Sequence, residues 1–124
     1  MEDRTERRCM ERVYIPVAKL YYRLDGRHRI LSSYHGPYHL ADISKSSLCV
    51  NAVIEQERKT PVSLKLIIPD APEILLKGHI FKILADSAGR PVKTIIQLMP
   101  YGFEPQYNSF KYKKRLEHCL NTYI

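Results

Sequence analysis

Short apolar segments that alternate with polar residues, each ended by turn-forming residues, limit the possible folds of this sequence more than any other feature. We predict six strands, at residues 13–24, 28–40, 48–54, 61–68, 73–84 and 92–99. Pairs such as Asp25-Gly26 and Pro69-Asp70 are typical of the tight turns that join antiparallel strands. Six short strands at this even spacing indicate a small antiparallel barrel or sandwich.

Three of these strands contain irregularities. In residues 13–24 the apolar positions change parity after Val17, which predicts a β-bulge near Ala18-Lys19, since a one-residue slip otherwise turns the following side chains to the opposite face. Gly36-Pro37 predicts a bend or an edge position in the second strand, because proline has no N–H for a sheet hydrogen bond. Gly78 predicts a bulge or a close approach of two backbones in the fifth strand.

The hydrophobic period changes near the C-terminus from two residues to three or four. From Pro105 onward the apolar positions include Phe110, Leu116, Cys119, Leu120 and Tyr123, and a basic run separates the first two of these. This pattern predicts an amphipathic helix within residues 104–124, whose apolar side closes one end of the barrel. The sequence contains no repeat and no linker, so we predict a single domain, with the barrel at residues 13–103.

The composition indicates a globular protein with an anionic partner. The chain has 124 residues, of which 44% are hydrophobic, as is typical of one domain. Lys and Arg outnumber Asp and Glu by 20 to 13, and the net charge of +7 favours a nucleotide, a nucleic acid or a membrane surface as partner. No apolar run approaches the ~20 residues that span a bilayer, and the charged N-terminus lacks the apolar segment of a signal peptide. We therefore expect a cytoplasmic protein that does not insert into a membrane.

The cysteines and histidines form no recognisable metal or disulfide pattern. Cys9, Cys49 and Cys119 have no C-x-x-C spacing, and His35 and His39 lie in a strand-like segment rather than on a helix. The sequence also lacks a glycine-rich phosphate loop and a nucleophile elbow. We therefore expect no metal, no cofactor and no enzymatic activity.

Two polar motifs carry the residues best suited to hold an anionic ligand. Residues 8–12 read Arg-Cys-Met-Glu-Arg, within a charged segment, residues 1–12, that has no hydrophobic period and that we expect to be a flexible arm. A guanidinium binds phosphate bidentately and stacks on a flat base, although a solvated basic tail has the same composition. Asp42 and Ser44 fit a tight turn or, facing outward, an acceptor for a base edge and a hydroxyl for a phosphate.

Together, the two motifs resemble those of the PilZ family, bacterial receptors for the second messenger cyclic di-GMP. Members of that family carry Arg-x-x-x-Arg in a loop, then a six-stranded antiparallel barrel with Asp/Asn-x-Ser-x-x-Gly at a strand junction, then a C-terminal helix. In this chain Arg8 and Arg12 match the first motif, and Asp42 and Ser44 match the second. Ser47 stands where the family has glycine, and the resemblance covers nearly the whole chain.

The resemblance implies a PilZ-like split barrel with a C-terminal helix and a cyclic di-GMP site. The ligand-binding residues that it implies are Arg7, Arg8, Arg12, Asp42, Ser44 and Ser47. The arginines would take phosphates and guanine faces, Asp42 would accept from a guanine N–H edge, and Ser44 would bond a phosphate oxygen. The arm would fold over the nucleotide and present a new surface to a protein partner, in a monomer or a ligand-dependent dimer. Since glycine lets a backbone lie against a flat ligand, Ser47 predicts weaker binding than in a glycine-bearing relative.

Two other functions fit the sequence. A small basic barrel can bind single-stranded nucleic acid, but it needs cations and aromatic side chains interleaved across one strand face, whereas Arg7, Arg8 and Arg12 crowd the N-terminus. We therefore expect no nucleic-acid partner. A PilZ-like domain that has lost its ligand and binds only proteins is the other alternative, and Ser47 is the residue that supports it.

Overall fold

Six antiparallel strands close into a barrel in the computed structural model, which describes residues 12–25 and 33–123. The elements are β1 (Lys19–Leu24), β2 (His35–Ile43), β3 (Ser47–Val50), β4 (Pro61–Ile67), β5 (Ile74–Ala85), β6 (Pro91–Leu98) and the helix α1 (Phe110–Tyr123). The order around the barrel is β1-β2-β3-β6-β5-β4, and β1 pairs with both β2 and β4. The predicted six-stranded antiparallel barrel with a C-terminal helix is confirmed.

The alternating pattern places one side of each strand in the barrel interior. In β4, Val62, Leu64 and Leu66 are buried, whereas Lys65 and Ile67 are partly exposed. Burying an aliphatic side chain of this size contributes about 1.5–3 kcal/mol, so the interior is the main source of stability. The helix α1 adds Leu116, Cys119 and Leu120 to the same hydrophobic cluster, and it packs against β5.

Residues 13–18 form a turn and one bridge rather than the start of a strand. Val13 makes an isolated antiparallel bridge with Ile43, and the N–H of Ala18 donates to the carbonyl of Ile15 across a turn at Pro16. The predicted bulge near Ala18-Lys19 is therefore wrong, because this turn changes the parity of the apolar positions instead. Ile15 and Ala18 are both buried, which is why the sequence pattern resembled a strand.

The pairing of β1 with β2 is irregular at Gly36-Pro37, where a bend was predicted. Leu20 pairs with Tyr38 and Tyr22 pairs with His35, so β2 carries one extra residue. Gly36 has a φ of +148°, and a Cβ there would lie 2.7 Å from the carbonyl oxygen of Leu20. Glycine is therefore required where these two backbones meet.

Two further expectations concern β5 and β3. At Gly78 a Cβ would lie 2.5 Å from the carbonyl oxygen of Gln97, and the pairing runs through Gly78 without a shift, so the predicted close backbone approach is confirmed.

The strand β3 ends at Val50 rather than at Ile54. Ile54 is nevertheless buried, and its N–H donates to the Oγ1 of Thr94 at 2.9 Å. A side chain thus satisfies the amide that a strand neighbour would otherwise have bound.

Some predictions fall outside the described residues, namely the arm at residues 1–11, the glycine of the Asp25-Gly26 turn and the start of the second strand at His28. Within the described part of the chain, no helix is long and apolar enough to cross a membrane. Over the same residues, no group of three His, Cys, Asp or Glu side chains is arranged to hold a metal ion.

Candidate ligand-binding site

The hairpin between β2 and β3 contains the second sequence motif. Asp42 and Ile43 end β2, Ser47 begins β3, and Ser44, Lys45 and Ser46 form the connection. The N–H of Ser44 donates to the carbonyl of Ser47 at 2.9 Å, and the N–H of Ser47 donates to the hydroxyl of Ser44 at 3.2 Å. The Ser44 side chain therefore closes the turn, as serine commonly does where backbone amides lack a strand partner.

A bulge in β2 turns the Asp42 carboxylate outward. Leu40 pairs with Val50 and Asp42 pairs with Cys49, so β2 has an extra residue at Ala41. Leu40 and Ile43 are both buried although they lie three positions apart, which regular alternation does not allow. The bulge thus leaves Asp42 on the barrel exterior with its side chain 32% exposed.

Arg12 joins the two motifs in space. Its Nη1 donates to Oδ1 of Asp42, and its Nη2 donates to the hydroxyl of Ser47 at 2.9 Å, across 30 and 35 residues of sequence. The adjacent residue fixes this position, because Val13 and Ile43 exchange two backbone hydrogen bonds of 2.8 and 2.9 Å. The Arg12 backbone is thereby held beside the hairpin, and its guanidinium needs only its own side-chain length to reach Asp42.

The charges around this cluster are partly exposed and nearly balanced. Arg12 is 43% exposed and its pair with Asp42 is therefore worth only about 0–1 kcal/mol. Burial raises the pKa of the Cys49 thiol, Asp42 raises it further, and Lys93 and Arg12 lower it. Lys93 on β6 is thus a second cation near Cys49, which is the strand partner of Asp42. The Cys49 thiol stays protonated at neutral pH and is a poor nucleophile.

The hairpin is also attached to the C-terminal part of the chain through Lys45. The Tyr101 hydroxyl donates to the Lys45 carbonyl at 3.1 Å, and Nζ of Lys45 lies 3.5 Å from Oε2 of Glu117 on α1. Burial, with a smaller contribution from the Glu117 carboxylate, raises the pKa of Tyr101 to about 12, so this hydroxyl remains a donor at physiological pH.

The structure places the predicted site residues in different environments. Arg12 contacts both Asp42 and Ser47. The Arg12 and Asp42 side chains are partly exposed on the barrel exterior, whereas Ser47 is buried at 7% exposure and Ser44 at 2%, with the Ser44 hydroxyl facing the turn amides. Arg7 and Arg8 lie outside the described residues. The role of these six residues toward a ligand stays a prediction.

Ser47 has an ordinary backbone conformation. Among the described residues, Lys59 and Asp70 are the non-glycine residues with positive φ, and Ser47 is not one of them. The glycine that the PilZ motif has at this position is therefore not demanded by the backbone of this chain. Serine instead contributes a hydroxyl that binds Arg12.

Sequence reasoning missed Lys93, Tyr101 and Glu117. Lys93 occupies an outward position in the alternation of β6, which is a signal that the sequence does contain. Tyr101 and Glu117 reach the hairpin only through tertiary contacts with Lys45, for which the sequence has no local pattern.

Comparison with known proteins adds no family assignment. No protein-family model matches this chain, and no curated protein sequence matches it significantly. The resemblance to the PilZ family therefore stays a prediction from the motifs.

Proposed function

We propose that this chain is a non-enzymatic receptor for cyclic di-GMP that binds the dinucleotide on the outer surface of the β2–β3 hairpin. The observation that carries the proposal is the contact of Arg12 with both Asp42 and Ser47, which joins the two sequence motifs on a closed six-stranded barrel. Arg7 and Arg8, a few residues before Arg12, supply two further guanidinium groups.

The chemistry of guanine suits an exposed arginine–aspartate pair. A carboxylate accepts from the two N–H donors on the guanine edge, and a guanidinium binds a phosphate bidentately or stacks on the base. In the structure Asp42 and Arg12 form an ion pair worth about 0–1 kcal/mol. Opening a pair of that strength costs a ligand little, and hydrogen bonds between charged side chains and the ligand contribute about 1.5–3 kcal/mol each where the complex excludes water.

Charge supports a ligand with two phosphates. Arg12 and Asp42 nearly cancel each other, so the positive charge for the phosphates has to come from Lys93 and from the arginines at positions 7 and 8. When the N-terminal segment closes over the nucleotide, it presents a new surface to a protein partner. Added hydrogen-exchange protection of residues 1–12 on ligand binding is the expected sign of this closure.

Calorimetric titration of the full chain tests the proposal. Cyclic di-GMP is expected to bind, whereas cyclic di-AMP and GTP at the same concentrations serve as controls. Arg12→Ala is expected to weaken binding by about tenfold to a hundredfold, the equivalent of ~1.5–3 kcal/mol. Arg90→Ala is the matched control, because Arg90 forms a similar exposed pair with Asp86 in the β5–β6 turn. Equal losses in the two variants would show that the charge effect is not specific to the site.

A second candidate is a PilZ-like scaffold that binds only proteins. The observation in its favour is that the Arg12 guanidinium binds Asp42 and Ser47 of the protein itself. The same titration separates the two candidates: absence of heat with cyclic di-GMP, for a protein with a cooperative thermal unfolding transition, supports the scaffold and contradicts the receptor.

A further inference from the structure

A second surface combines cations and aromatic side chains on the exterior of β1, β4 and β5. Two rows of paired residues cross these strands: Tyr21 pairs with Lys65 and Lys65 with Leu75, while Arg23 pairs with Ser63 and Ser63 with Lys77. Their neighbours in β4 and β5, such as Leu64, Leu66 and Leu76, are buried in the interior, so these rows face outward.

Aromatic rings on this surface lie directly against cations. The Lys65 ammonium is 4.6 Å from the ring centroid of Tyr34 and 5.6 Å from that of Tyr21. The Arg23 guanidinium is 5.0 Å from the Tyr34 ring. On α1, Tyr112 has Lys111 at 4.9 Å and Arg115 at 5.4 Å. Cations and tyrosines are thus interleaved, which is the arrangement that a surface for single strands needs.

A cleft of about 320 Å³ lies between these two groups of tyrosines. Tyr34 contributes to its lining from the β2 side, and Tyr107 and Tyr112 contribute from the C-terminal segment. Leu75 adds apolar surface, and Arg23 and Lys77 add charge. We call this feature the tyrosine cleft. Its volume falls at the lower end of the range of ~300–1,000 Å³ for sites that hold small molecules or single molecular units.

The charge around the tyrosine cleft favours an anion. Arg23 and Lys77 line it, and three further cations, Lys65, Lys111 and Arg115, lie against the rings of Tyr34 and Tyr112 in its lining. The flanking segments contain three carboxylates, those of Asp25, Glu73 and Glu104. The Asp25 carboxylate accepts from the Ser63 hydroxyl at 2.8 Å and lies 3.9 Å from Nε of Arg23, so it offsets part of the charge of Arg23. The first turn of α1 contains no acidic residue, although an acid there would stabilise the helix, so its early lysines do not serve helix stability.

We propose that the tyrosine cleft binds single-stranded nucleic acid, with a base stacked on a tyrosine ring and phosphates held by the surrounding cations. Stacking needs the open face of an unpaired base, which a duplex does not present, and each base has such a face whatever the sequence. An acidic peptide would use the cations but would leave the tyrosine rings without a flat partner. The cleft lies on β1, β4 and β5, whereas the hairpin site lies between β2 and β3, so this proposal does not rest on the proposed receptor function.

Fluorescence anisotropy tests this proposal. A labelled ten-nucleotide single strand is titrated with the full chain at several salt concentrations. Lys65→Gln is expected to weaken binding several-fold and to reduce the slope of log affinity against log salt by about 0.7, the value for one phosphate contact in a single strand. Tyr34→Leu is expected to weaken binding about tenfold while leaving that slope unchanged, because it removes stacking rather than charge.

Two matched controls remove the same chemical groups elsewhere. Lys82→Gln removes a lysine that lies 5.9 Å from the Phe81 ring on β5, and Tyr123→Leu removes a half-exposed tyrosine at the end of α1. Neither is expected to change oligonucleotide affinity. Thermal melts confirm folding, and if Tyr34→Leu unfolds the protein, the Lys65→Gln and Lys77→Gln variants, at a partly exposed and an exposed position, still decide the question.

Three results would overturn the proposal: no binding of the single strand at physiological salt, equal binding of a duplex of the same length, or equal weakening by Lys65→Gln and Lys82→Gln. Arg12→Ala separates this proposal from the receptor function. It is expected to weaken cyclic di-GMP binding and to leave oligonucleotide affinity unchanged, so either function can fail without the other.

Discussion

Replacing Ser47 by glycine tests how this chain departs from the PilZ motif. The Ser47 hydroxyl accepts from Nη2 of Arg12 at 2.9 Å and lies 3.4 Å from the Ser44 hydroxyl. A ligand that takes Arg12 has to break the first of these contacts. Ser47→Gly removes that competition and uncovers the backbone, so the affinity for cyclic di-GMP is expected to rise by a few-fold to tenfold, the equivalent of up to ~1.4 kcal/mol.

The same substitution is expected to destabilise the fold. Glycine inside a strand costs about 0.5–1 kcal/mol through backbone entropy, and the bond to Arg12 adds a similar amount, since that guanidinium is 43% exposed. A loss of about 1–2 kcal/mol in a domain of this size corresponds to a fall in Tm of roughly 4–10 °C. Tighter binding by a less stable protein is therefore the expected combination.

Calorimetry on Ser47→Gly, Ser47→Ala and Ser46→Gly separates two causes of tighter binding, the loss of the hydroxyl that binds Arg12 and the loss of the Cβ. Ser47→Ala removes the hydroxyl and keeps the Cβ, so it should gain as much affinity as glycine if the bond to Arg12 is the obstacle. Ser46→Gly makes the same change in the turn at a residue whose side chain does not bond Arg12, and it should leave affinity unchanged. Equal affinities for wild type and both Ser47 variants would refute the reasoning, and no binding by any of them would support the protein-binding scaffold.

Three other predictions follow from the described contacts. Asp42→Ala is expected to lower Tm by less than about 4 °C because its pair with Arg12 is exposed. Ser44→Ala leaves the buried Ser47 amide and the part-buried Ser46 amide without their acceptor and is expected to cost about 1–3 kcal/mol, and thermal melts of both variants test this contrast. Because the pKa of Tyr101 is raised to about 12, its contribution to stability is complete below pH ~10 and is lost as pH rises through the folded value. Between pH 8 and pH 11, urea unfolding should therefore show a larger loss in the free energy of unfolding for wild type than for Tyr101→Phe. Equal losses would contradict the burial of the Tyr101 hydroxyl. Gly78→Ala brings a Cβ to 2.5 Å from the Gln97 carbonyl oxygen, so it should unfold at a Tm well below wild type, whereas Gly89→Ala meets no atom within 4 Å and pays only for its positive φ of 82°.

The sequence was sufficient to predict the fold class because alternation and turn residues are local signals. The predicted strand boundaries are wrong at residues that are buried but do not pair with a neighbouring strand. Ile15 and Ile54 are buried as strand residues would be, but their backbone groups bond elsewhere. The Ile15 carbonyl accepts from the N–H of Ala18 across the turn at Pro16, and the N–H of Ile54 donates to the Thr94 hydroxyl. An apolar pattern reports which side chains face the core, and it does not report which atoms their amides bind.

The candidate sites depend on contacts that no local pattern contains. Arg12 reaches Asp42 across 30 residues because Val13 pairs with Ile43. The resemblance to a known motif suggested that the two residues bind one ligand, and it did not suggest that they contact each other. The inward orientation of the Ser44 hydroxyl follows from the short turn, which leaves two amides for it to bind. The tyrosine cleft could not be predicted, because β1, β4 and β5 become neighbours only when the barrel closes, and their register decides which side chains form a row.

The net charge of +7 bears on the two surfaces unequally. At the hairpin Arg12 pairs with Asp42 and Lys45 lies beside Glu117, so the local charge is close to balanced. Around the tyrosine cleft five cations outnumber the neighbouring carboxylates. Because salt screens charges over about 10 Å at 0.1 M, a ligand responds to the charge near it rather than to the total. The basic composition is therefore an argument for an anion at the tyrosine cleft, while the case for cyclic di-GMP at the hairpin depends on the geometry of Arg12 and Asp42 and on the arginines that precede them.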